Sequence, residues 1–259
     1  MLASILAGFA SVVQNRTARI AREVHAAAGA RAADGGIGIA VAALLAGAAE
    51  AEDTPGRNAQ DGTPFSCRFA EGIMLVITMQ DVAGRLDLNT ASRELLLAVL
   101  DGAMKPDAAS RLIAAIMSRR NDDQFRTVEE LAQLPGVDRA LYERLRSGLT
   151  VHSGRAALDK RSTPPDLRGQ LARAGIADDI AYASSPDGRK FAVSVLARTG
   201  PGRGYLIETT IEIRPGRMPV YRALSWNGHI VRADNATSPY AEWLSEPRRT
   251  RDQSPCTST

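Results

Sequence analysis

Apolar positions along this chain follow two different periods. Residues 1–13 are almost wholly apolar, with Leu2, Ile5, Leu6, Phe9, Val12 and Val13 set among alanines. The helical period continues through Arg19, Ile20, Arg22, Val24 and His25, crosses a weak point at Asp34-Gly35-Gly36, and resumes over 37–45. No proline occurs before Pro55. This pattern predicts one helix of roughly 48 residues, ~70 Å long at 1.5 Å per residue. The alternative is two core helices parted by the glycines, which are poor helix formers. The apolar run is shorter than the ~20 residues a helix needs to span a bilayer. Neither a basic segment before it nor a turn after it marks a signal peptide.

The segment 50–64 is polar and rich in Asp, Gly and Pro, and reads as a linker. Ile-Met-Leu-Val-Ile-Thr-Met at 73–79 predicts a buried strand. Helical spacing returns at 92–100, 107–120, 128–133 and 139–147. From residue 189 the period becomes two: Phe191, Val193 and Val195 alternate, and strands are expected again at 206–213 and 220–226. Gly200-Pro201-Gly202-Arg203-Gly204 supplies a turn between the first two. The end of the chain, 236–259, is polar, carries three prolines and is expected to be a flexible tail. The resulting fold class is α+β, a long N-terminal helix packed on an antiparallel sheet, with an all-helical block inserted between the strands. The expected divisions are the helix at 1–50, the first part of the α/β unit at 51–86, the helical insertion at 87–150, the rest of the α/β unit at 151–235, and the tail.

Composition narrows the function classes. With 259 residues and 44% hydrophobic content there is ample material for a core. A net charge of +3 demands neither nucleic acid nor an anionic membrane. Aromatics at 5% leave no evident platform for stacking bases or sugars. Cys67 and Cys256 permit a disulfide in an oxidising compartment without requiring one. His25, His152 and His229 lack partners at zinc-ligand spacing. Asp178, Asp179 and Asp187 lack the spacing of a calcium loop and read as solvated turn acids. Gly35, Gly36 and Gly38 follow no strand, so they are no dinucleotide fingerprint, and no serine sits in a nucleophile-elbow pattern. The chain reads as a non-enzyme, with no cofactor, metal or small-molecule substrate.

The most specific motif is Leu134-Pro135-Gly136-Val137, which parts two short helices whose facing sides carry Val128, Leu131, Leu141 and Leu145. This is a helix-hairpin-helix pattern. DNA-binding versions hold a phosphate at the start of the second helix. Here Asp122, Asp123, Glu129, Glu130 and Asp138 surround it and Arg126 is the nearby cation on its N-terminal side. An acidic setting opposes the counterion release that drives such binding, so the motif reads as a packing or protein-contact element. A membrane-tethered DNA receptor for uptake is the alternative.

Taken together, the long N-terminal helix with Ala-Arg-Ala-Ala-Asp-Gly-Gly-Ile at 30–37, the segment Gly-Arg-Leu-Asp-Leu-Asn-Thr-Ala at 84–91, Phe-Arg-Thr-Val-Glu-Glu-Leu at 125–131, Leu134–Val137 and Leu-Thr-Val-His-Ser at 149–153 resemble the minor pseudopilin K family of type II secretion systems. The resemblance covers residues 1–230. It implies a pilin-like domain interrupted by a helical (helix-hairpin-helix or SAM-like) domain at the pseudopilus tip. It also implies minor pseudopilins I and J and the inner-membrane secretion platform as partners, and a single-pass inner-membrane anchor with the globular part in the periplasm. Leu2, Ile5, Leu6, Phe9, Val12 and Val13 would then form the assembly helix. The family begins with a basic leader and a prepilin peptidase site. This chain opens inside the apolar stretch, which implies a start upstream of Met1 or a shortened anchor. Where the family often repeats Asn-Thr-Ala-Pro-Pro, this chain has Lys160-Arg161-Ser162-Thr163-Pro164-Pro165. Some relatives bind calcium, but no matching ligand set is present here.

Overall fold

The computed structural model describes residues 2–47, 60–100, 103–159, 162–175, 190–200, 202–214, 216–234, 243–244 and 255–256. In the first helix, side chains are described at Arg16, Arg19 and 23–46. The linker positions 50–59, the acids Asp178, Asp179 and Asp187, and the side chains of Leu2, Ile5, Leu6, Phe9, Val12 and Val13 lie outside the described residues.

A single helix, α1 (Leu2–Gly47), runs through the glycine pair without a break. Its buried stripe is Ala32, Ala33, Ile37, Ala40, Val41 and Leu44, spaced three and four apart. The glycines are the point of closest approach to the sheet rather than a hinge. A Cβ on Gly36 would lie 2.5 Å from Val195 Cγ1, and one on Gly35 would lie 2.9 Å from Phe69 Cζ. Each glycine costs ~1 kcal/mol of helix propensity and lets the helix settle directly onto side chains of the sheet.

That sheet has five strands in the order β1-β2-β5-β6-β7, every neighbouring pair antiparallel: β1 (Phe65–Ala70), β2 (Ile73–Asp81), β5 (Lys190–Gly200), β6 (Arg203–Ile213) and β7 (Tyr221–Arg232). Cross-strand register sorts the two faces. Leu75, Ile77, Met79, Val193, Val195, Ala197, Ile207 and Ile211 pack under α1. Val76, Leu196, Leu206 and Val231 form a smaller cluster on the other face with Leu244 and Trp243. The strands expected from alternation are present and longer than expected. β1 was not anticipated, because an edge strand with only Cys67 buried leaves little apolar alternation.

Between β2 and β5 in the chain lie β3 (Leu86–Asp87), α2 (Arg93–Leu100), α3 (Pro106–Asp122), a 3-10 helix (Val128–Gln133), α4 (Arg139–Leu145), β4 (Leu149–Thr150) and α5 (Pro165–Arg173). The segment 128–133 is thus a 3-10 helix, and α4 ends at Leu145 in a further 3-10 turn. These helices share a core of their own, built from Leu95, Leu96, Leu112, Ile113, Ile116, Leu131, Leu141 and Leu145. β3 and β4 pair in parallel, Leu86 with Leu149 and Asp87 with Thr150, so the helical stretch leaves and returns at one point.

The end of the chain departs from the expected tail. Its described parts are held to the body: Leu244 is buried, and Cys256 is disulfide-bonded to Cys67 on β1 across a sequence separation of 189. The Cys256 N–H also donates to the Arg68 carbonyl at 3.1 Å. The low apolar content of 236–259 hid this, because the fixing is a disulfide, main-chain hydrogen bonds and the Trp243-Leu244 pair set against the outer face of the sheet. Loops this long carry a large closure entropy, and losing a native disulfide typically costs about 2–5 kcal/mol. Cys256→Ser is therefore expected to lower the melting temperature by roughly 10 °C, measured by calorimetry without reductant. An unchanged transition would mean that the crosslink adds nothing to the fold.

Candidate interaction surface

The motif at 86–91 is a hydrogen-bonded corner. Asp87 is buried, and its carboxylate accepts from Asn89 N–H at 2.8 Å, Gly154 N–H at 2.8 Å and Ser153 Oγ at 3.0 Å. Asn89 reaches 36 residues along the chain and makes a two-way clamp on Phe125: its Nδ2 donates to the Phe125 carbonyl at 2.9 Å, and its Oδ1 accepts the Phe125 N–H at 2.8 Å. Thr90 Oγ1 donates to the Arg155 carbonyl at 2.6 Å. An amide is needed at position 89 because only Asn or Gln offers donor and acceptor side by side. These bonds tie β3, the start of the hairpin and the exit from β4 into one unit.

The hairpin hangs from that unit. Arg119 lies over the Phe125 ring, 5.6 Å from its centroid, and pairs with Glu130 at 3.0 Å. Glu130 Oε1 also accepts the N–H groups of Arg126 and Thr127 at 3.0 and 3.1 Å, fixing the start of the 3-10 helix. Gly136 has φ of +89°, which favours glycine. Asp138 then caps α4, its Oδ1 accepting Leu141 N–H at 2.7 Å. Leu134 and Val137 are half-buried against the helical core, while Pro135 and Gly136 are exposed. The position where a DNA-binding hairpin offers N–H groups to phosphate is thus occupied by the protein's own carboxylate. Four further acids surround it, and two of them, Asp123 and Glu130, already pair with Arg119.

Polar contacts seat the helical block on the sheet. Arg146 bridges Glu143 at 2.7 Å and Glu208 of β6 at 3.0 Å, on the face opposite α1. Tyr142 beside them is pushed up to about 12 by burial first, then by Glu129. His152 is pushed down, first by burial and then by the charge of Lys190, so it is neutral at neutral pH. Lys190 Nζ donates to the His152 carbonyl at 2.8 Å. A Cβ on Gly84 would sit 2.1 Å from the Ser162 carbonyl oxygen, so this seam admits glycine alone. Among the described residues no three metal-ligating side chains converge.

The side chains of 1–13, to which membrane contact was assigned, lie outside the described residues; within them the same N-terminal helix carries a window apolar enough to cross a bilayer, Glu23–Ala46. It is 44% buried, and its inward stripe is the sheet-packing stripe, so its hydropathy is accounted for by the core. What the sequence reading missed is the open edge of β7, where Trp226 is 46% and Ile230 56% exposed. Alternation flagged a strand there, but two apolar residues on one face look the same whether or not a helix covers them.

Two outcomes follow from this geometry. Asn89→Ala removes both bonds to Phe125 and leaves buried main-chain groups unpaired, at a cost of about 1–3 kcal/mol. It is expected to speed proteolysis within 120–138 while leaving exchange of the sheet amides unchanged. Duplex DNA is expected to show no retardation by the protein at moderate salt. Submicromolar, salt-sensitive binding that disappears in Gly136→Ala would overturn the packing assignment of the hairpin.

Comparison with known proteins bears on the same residues. Residues 86–152 match the family model of Type II secretion system (T2SS), protein K. No curated protein matches the sequence. Among solved structures, a chain of the GspK-GspI-GspJ complex from the enterotoxigenic Escherichia coli Type 2 Secretion System superposes with a TM-score of 0.53 at 12% identity, over 83% of this chain and 99% of that one. At that identity the likeness is one of fold. The corner and hairpin at 86–152 are therefore what resembles protein K of type II secretion systems, and they are carried on a mixed helix and antiparallel-sheet fold similar to that of a chain in the GspK-GspI-GspJ complex.

Proposed function

We propose that this chain is a structural minor pseudopilin that joins I- and J-type minor pseudopilins at the tip of a type II secretion pseudopilus and so supports export across the outer membrane. The observation that carries the reading is the protein K match over 86–152 on a fold that follows a chain of the GspK-GspI-GspJ complex nearly end to end. In this reading the helical block is an inserted helix-hairpin-helix (SAM-like) domain that caps the filament, and the protein works by assembly rather than catalysis. No cofactor or nucleic acid takes part. The inner-membrane secretion platform is the further partner. The Cys67–Cys256 bond fits a globular part that folds in an oxidising periplasm.

The mechanism assigns separate work to the two ends of α1. At 46 residues the helix is ~69 Å long, whereas the longest strand beneath it has 12 residues and spans ~40 Å. The helix therefore outruns the sheet, and its projecting first half carries Leu2, Ile5, Leu6, Phe9, Val12 and Val13. An aspartate among them costs about 2.5–3.5 kcal/mol at a bilayer centre. Phe9→Asp, expressed behind a prepilin leader, is expected to reduce co-purification with I- and J-type subunits from solubilised membranes at least tenfold and to abolish secretion. The melting of the globular part should not change. Normal complex recovery at normal abundance would remove the helix from the mechanism.

A further inference from the structure

We infer that Arg146 is a positioning residue: its fork onto Glu208 fixes the angle at which the helical block stands on the sheet, and assembly with the neighbouring subunits depends on that angle. The inference rests on the assembly reading above and adds to it the residue pair that orients the block.

Among the described residues, the core of the block shares no member with either cluster on the sheet. Its attachment is polar and gathered at one end of the sheet. There Gln80 Nε2 donates to the Ser162 carbonyl at 3.4 Å, and the Asp159 N–H donates to the Ala83 carbonyl at 2.8 Å. Lys190, which holds the His152 carbonyl, directly precedes Phe191, the partner of Asp81, and so belongs to the same end. A body held at one seam rocks about it, because a few residues at element ends absorb the rotation. A second anchor, set away from the seam, removes that freedom. Arg168 with Asp61 also bridges block and sheet, but the pair is 4.0 Å apart and the arginine is 43% exposed, so its hold is weak.

Arg146 with Glu208 supplies that anchor. Gln80 lies opposite Ala192 on β5, and Ala192 lies opposite Thr210 on β6, so Glu208 stands two strands and two residues from the seam. At ordinary strand dimensions this is ~9.6 Å across and ~6.8 Å along, a lever of roughly 12 Å on which ~2 Å of slack tilts the block by about 10°. The fork is suited to holding an angle. Arg146 Nη1 donates to both Glu208 oxygens, at 3.0 and 3.1 Å, while its Nε donates to Glu143 at 2.7 Å. The planar guanidinium is thus gripped by one carboxylate from α4 and one from β6, which a lysine, as a point charge, does not reproduce. Both partners are mostly shielded, with side chains 23% and 22% exposed. A block that stands at one angle before it meets its neighbours has less freedom to lose on binding, and affinity rises accordingly.

The test uses the full chain, behind a prepilin leader, co-expressed with I- and J-type subunits. Nitroxide labels are placed by Ala42→Cys on α1 and Ala132→Cys on the block, both exposed positions, and the native cysteines are held in their disulfide. Dipolar spectroscopy then reads the spread of distances between block and sheet. Glu208→Gln and Arg146→Gln are each expected to widen that spread at least twofold and to lower co-purification at least fivefold. The double variant should be no worse than either single one, because both remove the same pair. Arg146→Lys keeps the charge without the fork; it should widen the spread less and remains measurable if a removal unfolds the chain. Arg222→Gln is the control: Arg222 pairs with Glu212 at 3.0 Å between two strands of the sheet, so its loss should change neither readout. An unchanged spread in the Arg146 and Glu208 variants, an equal widening in Arg222→Gln, or a widened spread with normal co-purification overturns the inference and leaves the assembly reading standing. Failure of the wild-type chain to co-purify overturns both.

Discussion

The contact between Gly36 and Val195 sets the geometry of the whole molecule. A side chain at position 36 would lift α1 off β5 and open the layer that holds Ile37, Val41, Leu75, Ile77, Val195 and Ile207 together. Interiors pack at crystal-like density, so a lift of even an ångström forfeits dispersion along the full stripe. The alanines at 32, 33 and 40 serve the same closeness. Because the helix is seated this low and over the middle of the sheet, its N-terminal half leaves the sheet as a stalk, and β7 is left uncovered beside it.

On the opposite face the helical block is attached by charge and main chain rather than by a continuous apolar layer. Arg146 with Glu208, Lys190 with the His152 carbonyl, and the glycine-only seam at Gly84 are its fixings. Its own core is separate from that under α1. Two cores joined by a polar seam allow the sheet layer to vary in sequence while the block keeps its own pattern. This agrees with a family match confined to 86–152 and a likeness of fold that extends far beyond it.

Much of this was legible from residue pattern. Helical spacing at 107–120 and alternation at 191–195 located α3 and β5, because each has one buried face and a long enough run to show it. The single long helix was also read correctly through the glycine pair: propensity marks the pair as a weak point, whereas packing against Val195 and Phe69 outweighs propensity. β1 escaped notice because it is an edge strand with one buried residue. The hold on Cys256 escaped because no local pattern reports a bond made across 189 residues. For the candidate surface, the motif at 86–91 was visible as a string of residues, but the Asn89 clamp on Phe125 is a tertiary fact. The open strip at Trp226 and Ile230 depends on where α1 ends up, which no strand sequence encodes.

The disulfide has a mechanical consequence. Between Cys67 and Cys256 the backbone is a closed covalent loop, and α1 hangs from it by the segment that precedes β1. A tension arriving along the stalk meets that loop at β1, where the chain is bolted to its own far end. Strands and helices inside the loop are not in series with the load, so a pull between the stalk and the residues beyond Cys256 passes across one sulfur–sulfur bond. The helical block at 88–148 thereby stays off the path of a load applied between α1 and Cys256.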